Sequence, residues 1–164
     1  MNLLFSPDAL PIDSGTYVLW IRLQKAKKLT FSSLGSAVFL PGFYSYTGRD
    51  SRRLRARLSR HLKTQKNCHW HVDWLLTREA SVVQIWVYAN HPEWECRVNQ
   101  LLEKLPGASI PLPGFGSSDC TSGCRAHLIQ HPVLVKPGLL SLQPDWILIP
   151  EKSTKVLVTG FSIS

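Results

Sequence analysis

The sequence predicts an α+β fold with a short C-terminal β appendage, and three observations carry that expectation. Apolar residues alternate from Thr16 to Leu23, the period lengthens to four after Ser51, and strand-type runs return on either side of a second helical stretch. A chain of 164 residues with 44% hydrophobic and 18% charged residues suits one packed core rather than a disordered polymer. Residues 1–131 are expected to form the main domain, with 132–164 as an extension packed on it.

Tyr17, Leu19, Ile21 and Leu23 fall on one face of the first strand, and Val18, Trp20 and Arg22 on the other. Residues Gln24 to Lys28 are polar and basic before Leu29 to Ser33 resumes a strand-like run, so these two strands are expected to pair as a hairpin. After Ala37 to Leu40, Pro41-Gly42 punctuates the chain and Phe43 to Thr47 forms a further strand that stops at Gly48. Leu54, Leu58 and Leu62 then recur at helical spacing, with Asp50 or Ser51 as the candidate N-cap. Arg57 and His61 share the margin of that stripe.

His69 to Leu76 is compatible with a short helix or a loop. The β-branched and aromatic content of Ser81 to Ala89 predicts a buried strand. Pro92 suits the first turn of a helix carrying Trp94, Val98, Leu101, Leu102 and Leu105, which Pro106-Gly107 ends. A short apolar run surrounds Leu128, and Val133 to Val135, Trp146 to Ile149 and Lys155 to Val158 are candidate strands of the appendage.

The formal net charge is +8 and the isoelectric point about 9.6. Much of the excess is concentrated, because Arg49, Arg52, Arg53, Arg55, Arg57, Arg60 and Lys63 fall within fifteen positions. Such a run either binds phosphates or forms a solvated helix face. No stretch approaches the roughly 18 apolar residues of a membrane span, and Met1 to Pro11 lacks a basic start followed by an apolar block. The expectation is a cytoplasmic protein with no membrane contact. Cys68, Cys96, Cys120 and Cys124 are too few and too irregular for a secreted disulfide scaffold, so reduced thiols are expected.

Gly15-Thr16-Tyr17 opening one strand, Tyr46-Thr47-Gly48 closing another, Leu54-x-x-Arg57-x-x-x-His61 on a basic helix, and Glu95 on a later one follow in order. Over residues 15–105 this arrangement resembles the GIY-YIG nuclease superfamily. The resemblance implies a small central antiparallel sheet flanked by helices, in which both tyrosines, the arginine and the glutamate converge on a metal-bound phosphodiester. The phrases Cys68-His69-Trp70-His71-Val72-Asp73, Glu95-Cys96 and Phe115-Gly116-Ser117-Ser118-Asp119-Cys120 are similar to a branch found alone or fused to endonuclease III type DNA glycosylases. They extend the likeness to about His127. The two tyrosines, at 17 and 46, stand further apart than in many members, a spacing that an extra hairpin accommodates. Ser118 and Asp119 are candidates for the position where many members carry an asparagine.

Phosphodiester hydrolysis needs charge neutralisation on the transition state, a delivered hydroxide and a stabilised leaving oxygen. The forked guanidinium of Arg57 suits the first task. Arg53 and Arg60 are expected to grip flanking phosphates, with Arg49, Arg52, Arg55 and Lys63 widening the contact. Glu95 falls on the apolar side of its helix, where a lone carboxylate needs a partner. That partner is Mg²⁺ (or Mn²⁺) or, alternatively, Arg97 or Arg57 in a salt bridge. Tyr17 as general base and Tyr46 beside it are what the resemblance implies; a phenol titrates at about 10, so cationic neighbours must lower it. Either tyrosine alone reads as an ordinary strand residue. His61 either passes a proton or is a surface helix histidine.

The resulting expectation is a metal-dependent endonuclease acting on nucleic acid, DNA rather than RNA, with no obligate protein partner. The alternative is a non-catalytic nucleic-acid-binding module. Separately, Cys120-x-x-x-Cys124-x-x-His127 can supply three zinc ligands, with Cys68, His69 and His71 elsewhere and the fourth ligand unplaced; the alternative is small buried thiols and a loop histidine.

Overall fold

A computed structural model describes residues 2–77 and 79–151. The strands are β1 (Asn2–Leu4), β2 (Gly15–Leu23), β3 (Lys27–Phe31), β4 (Gly35–Phe39), β5 (Gly42–Asp50), β6 (Ala80–Ala89), β7 (Leu128–His131) and β8 (Trp146–Leu148). The helices are α1 (Leu54–Leu62), α2 (His71–Leu75) and α3 (Glu95–Glu103), and the turn Pro92–Trp94 leads into α3. The fold is α+β, with a six-stranded sheet in the order β1-β8-β6-β2-β5-β7. Every pairing in that sheet is antiparallel except β1 with β8.

β2 is central, paired with β5 on one side and β6 on the other, so both of its edges are satisfied. Its alternation divides the core. Tyr17, Leu19, Ile21 and Leu23 join Leu54, Leu58, Val72 and Leu75 from α1 and α2. Val18 and Trp20 join Trp86, Tyr88 and, from α3, Val98 and Leu102. Two helices cover one face of the sheet and α3 covers the other, as period-two strands between period-3.6 helices require.

The expected pairing of the first strand with Leu29 to Ser33 is not formed. β3 pairs with β4 in a separate two-stranded sheet, and β2 takes β5 and β6 instead. The reason is burial: β2 is apolar on both faces and needs partners on both edges, whereas β3 alternates exposed and buried positions. The β3–β4 hairpin is the connection between β2 and β5, and it takes up the wide spacing of the two tyrosines.

The C-terminal strand is present as β8, seated inside the main sheet between β1 and β6. Residues 133–135, expected as a strand, form none, and Pro137–Leu139 is a single 3₁₀ turn. Lys155 to Val158 lies outside the described residues. No described helix is long and apolar enough to cross a membrane.

α1 is started from a distance. Asp50 Oδ1 accepts the N–H groups of Arg52 and Arg53 at 2.9 and 2.6 Å, ahead of the helix. The N–H of Arg55, inside its first turn, goes instead to Asp13 Oδ1 at 2.8 Å. Asp50 therefore shapes the approach to the helix, and Asp13 satisfies the helix itself. At the other end the Lys66 ammonium donates to the carbonyl of His61 at 2.9 Å, where a cation suits the helix dipole.

Candidate active site

β2 and β5 lie side by side, with Tyr17 opposite Gly48 and Leu19 opposite Tyr46. That register puts both phenols on the face covered by α1. The close approach has a requirement, because a side chain at Gly48 would run into the Tyr17 ring. Gly116 plays the same part for the second tyrosine. Its φ is +72°, and a Cβ there would lie 2.7 Å from Tyr46 Cε2. The N–H of Gly116 donates to His71 Nδ1 at 2.9 Å, which fixes this turn against α2.

Tyr17, Tyr46, Arg57 and Glu95 line one cleft of about 690 Å³, together with Gly48, Arg49, Asp50, Trp70, Ser118 and Asp119. Four of the five residues singled out for catalysis are thus brought together from β2, β5, α1 and α3. The fifth, His61, stands behind Tyr17. Its Nε2 lies 2.8 Å from the phenolic oxygen, and its ring is buried, which excludes the surface-histidine alternative.

Arg57 is held by three contacts. Its Nε lies 3.3 Å from Asp50 Oδ2, one Nη donates to the Arg49 carbonyl, and its guanidinium carbon sits 4.5 Å from the centre of the Trp70 ring. Burial would raise the Asp50 carboxyl, but the Arg52 and Arg53 N–H groups and the Arg57 charge hold it below its ordinary value. Asp50 therefore stays ionised and keeps Arg57 aimed at the cleft.

Arg60, expected on flanking phosphates, has another occupation. Its two Nη atoms bond both oxygens of Asp73 at 3.0 and 2.9 Å, and it too lies over the Trp70 ring. Asp73 is fully buried, and burial would raise its carboxyl, but Arg60 and the N–H groups of His69 and Trp70 hold it down. Arg52, Arg53, Arg55 and Lys63 are exposed, and Arg49 reaches the mouth of the cleft.

Glu95 begins α3 and is about four-fifths buried; its Oε2 lies 3.2 Å from Arg49 Nε and its Oε1 3.3 Å from His127 Nδ1. The salt bridge anticipated with Arg97 or Arg57 forms with Arg49 instead. Arg97 points its guanidinium toward the Trp94 ring, and Arg57 is engaged by Asp50. The His127 contact is close without the alignment of a hydrogen bond, and it is the contact that Nδ1, buried and without a hydrogen-bond partner, makes with a carboxylate.

The lowering of the Tyr17 phenol expected from cationic neighbours is not supplied by the chain's own side chains. Burial pushes the phenol well above its ordinary value, Tyr46 and Glu95 push the same way, and the pull of Arg57 does not offset them. Burial likewise raises Tyr46. His61 is driven the other way, to about 3, first by burial and then by Lys66. The Tyr17–His61 pair is therefore neutral on both sides at neutral pH, joined by one buried hydrogen bond.

Sequence reasoning left Cys96 out of any metal set. Its sulfur lies 3.4 Å from that of Cys120 and 3.9 Å from His127 Nε2, and the ligand atoms of Cys96, Cys120, Cys124 and His127 all fall within 4.8 Å of one another. The signal was weak, because Cys96 is 24 residues from Cys120 and sits on a helix rather than in a paired-cysteine loop. Trp70 was also missed as the surface beneath two arginines, although it stands in the His69 to Asp73 phrase.

A family model described as a domain of unknown function, DUF123, matches residues 16–138. The chain belongs to that family. The DUF123 match begins inside β2 and runs past β7, so it takes in both tyrosines, α1, Glu95 and the Cys/His cluster. Comparison with curated proteins and with solved structures gives no match.

Proposed function

We propose that this DUF123 protein is a metal-dependent endonuclease of GIY-YIG type that hydrolyses phosphodiester bonds in DNA. The observation that carries this reading is the meeting of Tyr17, Tyr46, Arg57 and Glu95, from four separate elements, on one polar cleft with Arg49 at its mouth. Chains that merely needed strand tyrosines and a helix arginine would have no cause to aim them at one space.

The donors suit a hard cation. The carboxylate of Glu95, with Asp119 on the same lining and Asp50 taken up by Arg57, offers oxygen donors among phenols in a roomy polar cleft and matches Mg²⁺ (or Mn²⁺), which keeps several of its waters. Glu95 would hold it, with Oε2 released from the exposed Arg49. Such an ion supplies charge stabilisation and an acidified water.

The chain's own groups do the rest. Arg57, fixed by Asp50 and Trp70, places a fork of donors on the phosphoryl oxygens. Tyr46 orients the attacking water. Tyr17 accepts a proton from that water as its own phenolic proton moves along the 2.8 Å contact to His61 Nε2, so no free phenolate has to persist. This relay requires the His61 tautomer protonated on Nδ1. Arg52, Arg53, Arg55 and Lys63 extend the phosphate-binding surface beyond the cleft, and the polymer's charge makes affinity fall with salt.

The test is incubation of supercoiled, branched and single-stranded DNA with Mg²⁺ or Mn²⁺, comparing the unaltered chain with Glu95→Ala and Arg57→Ala. Each substitution is expected to lower cutting by about 10²–10³-fold, the usual cost of losing one charge-stabilising group. Equal cutting by all three proteins overturns the assignment. One observation favours a second reading, a module that binds without cutting: the Arg49–Glu95 pair occupies the carboxylate. Steeply salt-dependent binding with no metal-dependent product would select it.

A further inference from the structure

We infer that Cys96, Cys120, Cys124 and His127 bind one Zn²⁺ ion as a closed tetrahedral site, which pins residues 114–127 to the first turn of α3. The argument begins with atom positions. The four ligand atoms lie within 4.8 Å of one another, and nothing regular in the fold requires that convergence. A zinc–thiolate bond is about 2.3 Å, which places tetrahedral sulfurs about 3.8 Å apart. Cys96 Sγ and Cys120 Sγ, at 3.4 Å, are near that spacing and well beyond the roughly 2.0 Å of a disulfide.

The surroundings point the same way. Residues 114–127 are closed at their base by two backbone bonds, Gly114 N–H to the Arg125 carbonyl and His127 N–H to the Phe115 carbonyl, at 2.6 and 2.8 Å. Between them the chain forms neither helix nor strand, so its tip, with Cys120 and Cys124, has little backbone bonding to hold it. A cross-link to Cys96 supplies what the backbone does not. Gln100, one turn along α3, approaches the Cys124 sulfur through its side-chain amide at 3.9 Å, the kind of donor that steadies a thiolate.

Ligand chemistry selects the ion. Three sulfurs and an imidazole in a four-coordinate set suit zinc, whereas Mg²⁺ takes oxygen donors, so this centre is separate from any cation held by Glu95 in the cleft. Four protein ligands leave no open position, which makes the site structural.

His127 joins the two regions. Its Nε2 faces the sulfurs, while its Nδ1 lies 3.3 Å from Glu95 Oε1. A metal-bound imidazole whose other nitrogen faces a carboxylate is the usual outer-shell arrangement, and here it makes His127 a positioning residue for Glu95. This last clause rests on the nuclease reading. The zinc site does not.

The experiment is elemental analysis of the full chain purified under reducing conditions and supplied with zinc. One zinc per chain is expected, with Co²⁺ exchange giving the strong visible bands of a tetrahedral thiolate site. Cys124→Ser should bind far less. With zinc in place Cys68 alone should react quickly with a thiol reagent, and all four cysteines after chelation. A folded chain that takes up no zinc and exposes four reactive thiols overturns the site, as does a Cys96–Cys120 disulfide. For the link to Glu95, His127→Cys is the informative variant, because it retains a four-ligand site and removes the imidazole. Zinc retained with cutting reduced about 10–100-fold is expected; zinc retained with cutting unchanged overturns the link. No cutting by the unaltered chain overturns the nuclease reading and the link, and leaves the zinc count standing.

Discussion

The two faces of the central sheet are built from the same strands yet end differently. On the face carrying Val18, Trp20 meets Trp86 with ring centres 5.0 Å apart, and α3 lies across them. On the face carrying Leu19 and Ile21, the apolar row ends in two phenols that open into the cleft. Each face also packs a buried histidine against its aromatic rings: His61 beside Tyr17, and His131 beside Trp20, where its Nε2 lies 2.9 Å from Ser45 Oγ. Burial alone therefore does not make a site. What separates the faces is where the polar tips of buried rings emerge, and strand alternation decides that one residue at a time.

The largest expected effect that tests this symmetry comes from acid. Burial lowers His61 to about 3 and His131 to about 4, whereas in an unfolded chain both titrate at about 6.5. Below that value the unfolded state binds the protons first. Stability is complete above about pH 6.5 and is lost, by about 1.4 kcal/mol per pH unit for each histidine, as pH falls toward the folded values. Urea unfolding between about pH 7 and 4.5 should show His61→Gln and His131→Gln each flattening the pH dependence by about one proton. A variant with the parental slope would remove that face's histidine from the explanation.

A smaller effect separates the faces. Gly48→Ala drives a methyl group into Tyr17 and should cost about 1–3 kcal/mol, read as a lowered Tm. Gly138→Ala meets open space and should stay within about 0.5 kcal/mol. Equal melting of the two would show that Tyr17 can give way. The smallest change is at the rim. Arg49 is more than half exposed, so Arg49→Ala should alter stability by less than about 1 kcal/mol. On the proposed nuclease reading it should still weaken DNA binding similarly across sequences and reduce the salt slope by about one. An unchanged slope would place Arg49 outside the phosphate contacts.

Much of this was legible where a period repeats. Leu54, Leu58 and Leu62 announced α1, and the alternation from Tyr17 to Leu23 announced both halves of the core. The convergence of Tyr17, Tyr46, Arg57 and Glu95 was legible through residue order and resemblance, since no local pattern says which strands become neighbours. Pairing choices were not. β3 lay nearest to β2 in sequence, but satisfying two apolar faces and two open edges outweighed proximity. Asp13 acting on α1 from 42 residues away, Arg60 closing on Asp73, and Cys96 joining Cys120 are tertiary meetings, and a lone residue of each kind carries no periodic signal.

The parallel pairing of β1 with β8 has a consequence for how the chain is made. Asn2 lies opposite Trp146, so β1 is synthesised well before the strand it pairs with. Until then its backbone donors and acceptors face water, and the edge of β6 that β8 will cover stays open to other chains. Removal of β8 would leave β1 without its partner and make that edge of β6 the place where aggregation begins.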